Sequence, residues 1–257
     1  MALALIAGCA PSVASDLTAR DLTQAFFRTD AAHPLDLKGR NLGQLDLSGL
    51  DFKRAVLSGA DLTAADLTAA NLTGTDLAGA RLDRATLIGA DFSGANLSGA
   101  TILRPTIFST LDNNTKETPR FHGANLTGIR IVANRLDGAD FSQANLTRAV
   151  LGPQDYVWGE ERYAQRSVML SCDFTGATLV EANLSNAVLH FAKFRGADLT
   201  RALLIGADLA KADLTGADLT GADMTGANLE EADLRQVRGL ATVGGLDTIR
   251  NLDKAVK

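Results

Sequence analysis

Cysteine and aromatic residues are scarce in this chain. Among 257 residues there are two cysteines, three histidines and one tryptophan, and aromatic residues make up 5%. Two cysteines far apart in sequence provide neither a disulfide framework nor a zinc-ligand spacing. The net charge of −5 argues against a nucleic-acid-binding surface, which requires a basic patch. No apolar run is long enough to span a membrane.

Motifs that carry catalysis are also missing from the sequence. It has no nucleophile elbow, phosphate-binding loop or cluster of metal ligands. His33, His122 and His190 are widely separated and are expected on the surface. Cys172 precedes a phenylalanine by two residues, where alanine usually stands, and is expected to be a small buried side chain. These observations predict a protein that is not an enzyme and has no cofactor or metal site.

What the chain does contain is a repeat of five residues. Residues 196–220 read GADLT, RALLI, GADLA, KADLT and GADLT, with leucine at every centre and alanine two places before it. A period of five matches neither an α-helix nor a flat strand. A short fixed period of this kind predicts a solenoid whose repeats stack along one axis.

The repeat is interrupted twice. After each interruption, the centre positions are no longer separated from the earlier ones by a multiple of five residues. Leu37 and Met169 are candidates to begin the first and third blocks. The centre positions run from Leu42 to Ile107, from Phe121 to Leu151 and from Phe174 to Leu234, with insertions near 108–120 and 152–168.

The pattern A-[D/N]-L-x-x, present as ADLTA, ANLTG, ADFSG and ANLSG, resembles the pentapeptide-repeat family. The resemblance implies an all-β fold, a right-handed quadrilateral β-helix with four pentads in each coil. The centre residue and the preceding alanine should then face inward. The spacing of phenylalanines agrees with twenty residues per coil, because Phe121 and Phe141 are twenty apart, as are Phe174 and Phe194.

The segments at the two ends of the β-helix, which is expected over 37–238, are predicted to be caps. Residues 15–36 should contain an amphipathic helix from Ser15 to Phe27, capped by Ser15 or Asp16. Residues 239–257 should form a second capping helix. The apolar stripe of this helix consists of Leu246, Ile249, Leu252 and Val256. It would cover the last coil or, alternatively, form a dimer contact.

Residues 1–14 are interpreted as the remainder of a signal and a tether. Ile6-Ala7-Gly8-Cys9 resembles the lipobox of bacterial lipoproteins, which implies that Cys9 is lipidated and that the protein is periplasmic or anchored in the cell envelope. Only eight residues precede Cys9 and none is basic, whereas a working signal has a charged start. We therefore expect the true start to lie upstream. The alternative is a cytoplasmic protein with an apolar, frayed N-terminus.

The second insertion is the strongest candidate for a binding site. It holds Tyr156, Trp158, Arg162 and Tyr163, and these residue types are enriched at binding hot spots. Loops on a rigid scaffold commonly carry recognition. The alternative interpretation is that these aromatic residues fold back and cover the interrupted coil.

Aspartates that directly precede centre residues form a second candidate, an acidic wall that includes Asp198, Asp213, Asp218 and Asp233. They are interpreted first as a solvated face that keeps a regular surface soluble. Members of the family that confer quinolone resistance imply another role, mimicry of DNA at a topoisomerase such as gyrase. Basic residues among the acidic ones of the first block, including Arg81 and Arg84, weaken that hypothesis.

The sequence therefore predicts a non-catalytic scaffold for protein–protein interaction, anchored in the bacterial envelope. Its partner is an unidentified protein, and the chain is expected to be a monomer or a dimer joined through its C-terminal cap. The alternative is a cytoplasmic, DNA-mimicking protein that binds gyrase. A third and weaker interpretation is a purely structural spacer.

Overall fold

The computed structural model describes residues 17–30, 32–52, 54–108, 117–132, 135–152, 155–158, 161–164 and 166–257, with 155–158 and 161–164 described by their backbone. Its regular elements are few and short. In chain order they are helix α1 (Ala19–Phe27), strands β1 (Thr101–Leu103), β2 (Arg130–Val132), β3 (Asp155–Trp158) and β4 (Glu161–Ala164), and two 3-10 turns, Leu240–Thr242 and Leu246–Thr248.

Most of the chain is held together by single parallel bridges between residues twenty positions apart. The bridges form four ladders, and we number them by their first residues: Asp36 (ladder 1), Asn41 (ladder 2), Asp46 (ladder 3) and Asp51 (ladder 4). These starting points are five residues apart, so one coil contains four pentads, as predicted. Each coil contributes one residue to a ladder. Ladder 1 contains, in order, Asp36, Val56, Asp76, Asn96, Asn125, Asn145, Thr178, Asp198, Asp218 and Arg238.

The core lies inside the coils and is made by two residues of each pentad. The centre residue and the alanine two places before it are buried along the repeat, for example Ala212 and Leu214. Ladder 4 places phenylalanine centres in one stack, with ring centroids 4.9–5.1 Å apart and planes within 3–7° of parallel. The predicted pairing of phenylalanines twenty residues apart is confirmed, and the stack contains Phe92, Phe121, Phe141, Phe174 and Phe194.

Both insertions border ladder 3. The first lies between Thr106 of ladder 3 and Arg120 of ladder 4, and it lengthens the bridge separation to 29 residues, Asn96 to Asn125. The second lies between Val150 of ladder 2 and Val168 of ladder 3. The bridges of ladders 1, 2 and 4 continue across both insertions.

The N-terminal helix is shorter than the predicted Ser15–Phe27 segment. Helix α1 begins at Ala19 because Thr18 caps it, with the Thr18 hydroxyl accepting from the Asp21 backbone N–H and the Asp21 carboxylate accepting from the Thr18 N–H. The predicted caps Ser15 and Asp16 lie outside the described residues. Leu22 and Phe26 are buried, and the Phe26 ring meets Phe52 edge-on at 5.4 Å, so α1 covers the first coil.

The prediction of a capping helix over residues 239–257 was wrong. The tail continues the coil, because Gly244, Arg250 and Val256 bridge to Asp223, Asn228 and Asp233. Its period is six instead of five, and Gly239, Gly245 and Asn251 adopt positive φ at that spacing. The helical stripe predicted for a dimer contact is therefore not formed.

Threonine hydroxyls close this last coil. The Thr242 hydroxyl accepts from the Gly221 N–H at 3.0 Å, and the Thr248 hydroxyl accepts from the Gly226 N–H at 2.9 Å. Each hydroxyl also donates to the carbonyl of a glycine three residues earlier, Gly239 or Gly245. In the coils below, backbone carbonyls accept from the corresponding glycine N–H groups, so the threonines take over that role where the ladder ends.

Candidate functional site

The outward aspartates and asparagines have a structural task. The Asp198 carboxylate accepts from the Thr200 backbone N–H at 3.0 Å, and Asp213 accepts from the Thr215 N–H at 3.0 Å and from its hydroxyl at 2.6 Å. Such side-chain turns explain why Asp or Asn is followed two residues later by Thr or Ser. Hydrogen bonds from Thr220 hold the pKa of Asp218 below its ordinary value.

The four aspartates of the predicted acidic wall do not form one wall. Asp198 and Asp218 are neighbours in ladder 1, whereas Asp213 and Asp233 are neighbours in ladder 4. Arginines bind three of these four carboxylates. The closest nitrogen–oxygen distances are 3.2 Å for Arg195 and Asp213, 2.5 Å for Arg235 and Asp233, and 3.2 Å for Arg238 and Asp218.

The arginine contacts were readable from the sequence in part. Arg235 follows Asp233 by two residues, and Arg238 follows Asp218 by one coil of twenty, so both spacings place the charges side by side. The hydrogen bond from Arg235 lowers the pKa of Asp233 to about 2. The negative surface of the last coils is therefore divided and partly neutralised.

The second insertion contains an antiparallel hairpin, β3–β4. Its register pairs Tyr156 with Tyr163, Trp158 with Glu161, and Val157 with Arg162. Residues directly opposite one another lie on the same face of a strand pair, and faces alternate along each strand. Tyr156, Trp158 and Tyr163 therefore share one face. Arg162, which the sequence grouped with them, belongs to the opposite face.

The hairpin leaves the coils where the outer surface changes from polar to apolar. In ladders 1 and 4 most bridge residues are Asp or Asn. At the root of the hairpin, ladder 2 carries Val150 and ladder 3 carries Val168 and then Val188. Leu203 lies two coils beyond Val150 in ladder 2. Leu203 and its neighbour Ile205 are 39% and 38% exposed. Leu203 and the three valines could have been noticed in the sequence, because each directly precedes a centre residue, where the pentad pattern usually has Asp or Asn. Ile205 follows a centre residue, where Thr or Ser is common.

A cluster of histidine, serine and aspartate on ladder 4 has the wrong order for nucleophilic catalysis. His122 Nδ1 is 2.8 Å from the Ser142 hydroxyl, which donates to the Asp140 carboxylate at 2.5 Å. In a catalytic triad the histidine lies between the other two and accepts the serine proton. Here the serine lies between them, and its hydroxyl proton is directed to the carboxylate.

The remaining predicted residues have simple settings. Cys172 is fully buried, its thiol donates to the Leu136 carbonyl at 3.0 Å, and burial raises the pKa of that thiol. Cys9 lies outside the described residues. Within the described ranges, no group of His, Cys, Asp and Glu side chains is placed to hold a metal ion. In that same part of the chain, no helix is both long and apolar enough to cross a membrane.

The family model described as pentapeptide repeats matches this chain in eight copies, over residues 36–68, 65–102, 120–152, 171–204 and 197–236. The matched segments span more than half of the sequence. The chain belongs to the pentapeptide-repeat family.

Solved structures of other pentapeptide-repeat proteins are similar. HetL, a protein involved in heterocyst differentiation regulation from the cyanobacterium Nostoc sp. strain PCC 7120, is 28% identical, with 93% of this chain and 96% of HetL covered and a TM-score of 0.40. A trypsin-treated form of QnrB1, a plasmid-mediated fluoroquinolone resistance protein, is 19% identical, with 79% and 86% covered and a TM-score of 0.34. None of the curated proteins matches the chain.

Proposed function

We propose that the chain is a right-handed quadrilateral β-helix that acts as a non-catalytic scaffold and binds a protein partner through the β3–β4 hairpin. One observation carries the proposal. The hairpin places Tyr156, Trp158 and Tyr163 on a single face. It is rooted between Val150 of ladder 2 and Val168 of ladder 3, and Val188 follows Val168 in ladder 3. Exposed apolar surface next to aromatic residues is typical of protein interaction sites.

We expect replacement of Trp158 by alanine to weaken partner binding and to leave the melting temperature nearly unchanged. An anchor tryptophan typically accounts for more than tenfold in affinity. A surface substitution that removes no core contact shifts stability by about 0.5 kcal/mol or less. A photo-crosslinking amino acid at position 158, introduced in the producing cells, would report the contact as a defined crosslinked species.

Phe27 offers a matched control, since it is an aromatic residue that is 89% exposed on α1, far along the chain from the hairpin. The same crosslinker at position 27 should give no such species. If Trp158→Ala instead lowers the melting temperature by many degrees, the aromatic residues cover the coil and the binding role is refuted.

The envelope location is part of the same proposal and rests on the sequence Ile6-Ala7-Gly8-Cys9. In a clone that begins at the true start, we expect the protein to fractionate with membranes and to lose this association on Cys9→Ala. Cys172→Ala is the matched control, because alanine occupies the equivalent inward position in most pentads. A soluble product from the true start would contradict the anchor.

Mimicry of DNA has less support than the scaffold role. A mimic needs a continuous negative face, and Arg195, Arg235 and Arg238 bind three of the four predicted wall aspartates. Those aspartates also use one carboxylate oxygen each to hold the turn of their own pentad. The surface that remains is of mixed charge.

A further inference from the structure

Helix α1 covers the first coil with one face and leaves the opposite face uncovered. Leu22 and Phe26 are buried, whereas the residues at spacings of three and four from Arg20 are all exposed. Phe27 is 89% exposed, more than any other large apolar side chain in the part of the chain that the structure describes. We call these residues the outer face of α1, and it consists of Arg20, Thr23, Gln24, Phe27 and Arg28.

The outer face of α1 carries available positive charge. Neither Arg20 nor Arg28 forms an ion pair with a carboxylate of the described residues. Asp21, the one acidic residue of the helix, is engaged in the cap, where hydrogen bonds from Thr18 hold its pKa below its ordinary value. Asp30, just beyond the helix, accepts from backbone N–H groups of the next turn. The outer face therefore combines two guanidinium groups with one exposed aromatic ring.

The sequence before α1 contains the proposed lipid anchor. Leu17, the first described residue, follows Cys9 by eight positions. Eight residues span at most about 29 Å when fully extended, so a lipid on Cys9 would hold α1 within that distance of the membrane. Tethering of this kind gives a high effective concentration, at which contacts that are weak on their own become populated.

We propose that the outer face of α1 lies on the membrane surface. The Phe27 ring enters the boundary between headgroups and acyl chains, and Arg20 and Arg28 meet anionic headgroups, the arrangement in which aromatic and basic residues of a helix bind a lipid surface. Each basic residue adds about fivefold to binding at an anionic surface. This inference rests on the proposed envelope anchor, and it adds the orientation of the protein, with the first coil toward the lipid.

This orientation places the β3–β4 hairpin away from the membrane. The hairpin follows Val150, which is the sixth residue of ladder 2. Coils stack at the inter-strand spacing of about 4.8 Å, so the root of the hairpin stands about 24 Å above the first coil. A headgroup layer is about 6 Å thick on each side of a bilayer. The hairpin is therefore accessible to a partner that is not itself in the membrane.

The test moves the single tryptophan of the chain onto α1. Trp158→Phe combined with Phe27→Trp is produced from a full-length clone that begins at the true start, so that the chain is acylated in the producing cells. The protein is reconstituted with vesicles of phosphatidylethanolamine and phosphatidylglycerol whose acyl chains are brominated. We expect the emission of the tryptophan at position 27 to shift to shorter wavelength and to be quenched by the bromine atoms.

Two further variants show whether the quenching comes from the outer face of α1. Arg20→Gln with Arg28→Gln should reduce it, because each arginine contributes about fivefold to the docked population on anionic lipid. That difference should disappear on brominated phosphatidylcholine alone. Phe191→Trp in the Trp158→Phe background is the matched control, since Phe191 is an aromatic residue that is 54% exposed in a later coil. Its emission should not respond to brominated lipid.

Flotation of the vesicles separates this contact from the anchor itself. If the protein floats with the vesicles and loses flotation on Cys9→Ala, but the tryptophan at position 27 is not quenched, the anchor stands and the contact is refuted. Equal quenching at positions 27 and 191 would exclude the end-on orientation. Absence of flotation from the true start would refute the anchor, and the membrane contact of α1 with it.

Discussion

Replacing Phe141 by alanine should destabilise the protein by about 3–5 kcal/mol. Phe141 is fully buried in the middle of the phenylalanine stack, 4.9 Å from the Phe121 ring and 5.1 Å from the Phe174 ring. The rings cannot close the gap, because each is held at the height of its own coil by backbone bonds such as Phe141 N–H to the Asp173 carbonyl, 2.7 Å. Denaturant titration followed by circular dichroism measures the loss.

Two further variants make this prediction specific to the stack. Phe141→Leu should cost clearly less, because leucine already occupies the same position of ladder 4 at Leu72 and Leu214. Phe27→Ala should change stability by about 0.5 kcal/mol or less, since that ring is 89% exposed. A loss below about 1 kcal/mol for Phe141→Ala would mean that the coils collapse onto the cavity and that the core is not rigidly spaced.

The pentads made the interior of this fold predictable. Each pentad forms one side of the coil and places the same two positions inward. Leu and Ala at fixed offsets therefore identify the core residues without knowledge of distant contacts. The spacing of twenty between phenylalanines was sufficient to predict the stack of Phe121 on Phe141. Local repetition replaces the long-range information that most folds require.

The C-terminal coil was missed because its period is six. Val237, Val243 and Ile249 recur at this spacing, each followed two residues later by Gly or Asn with positive φ. Leu246, Ile249 and Leu252 are three residues apart, and this spacing fits an amphipathic helix as well as a period of six. A search for a repeat within residues 237–251 would have revealed the period of six, whereas a search for a helical pattern did not.

The candidate sites were only partly predictable. The residue types of the hairpin pointed to recognition, but its register, which separates Arg162 from Tyr156, Trp158 and Tyr163, depends on where the turn falls. The contact of Arg148 with Glu181 also depends on an insertion, because it joins residues 33 positions apart instead of 20. The length of the second insertion sets that separation, and the pentad pattern alone does not give it.

Substitution of Gly239 by alanine should detach the last coil, at a cost of about 2–4 kcal/mol. Gly239 has φ +72°, and a Cβ there would lie 2.5 Å from both the backbone nitrogen and the Cα of Thr220. Real Cβ atoms do not approach backbone so closely, so residues after Arg238 must move outward. The bond from the Gly221 N–H to the Thr242 hydroxyl would then be lost.

Gly216 is the matched control, because it has a similar φ of +68° and open space where its Cβ would lie. Gly216→Ala should therefore cost only about 1 kcal/mol, the penalty for alanine in the left-handed region. Hydrogen exchange locates the difference: Gly239→Ala should remove the protection of the Gly244, Arg250 and Val256 amides, which donate to the coil below. If Gly239→Ala and Gly216→Ala lower the free energy of unfolding equally, the last coil shifts to make room for the Cβ. Gly239 would then be needed only for its positive φ.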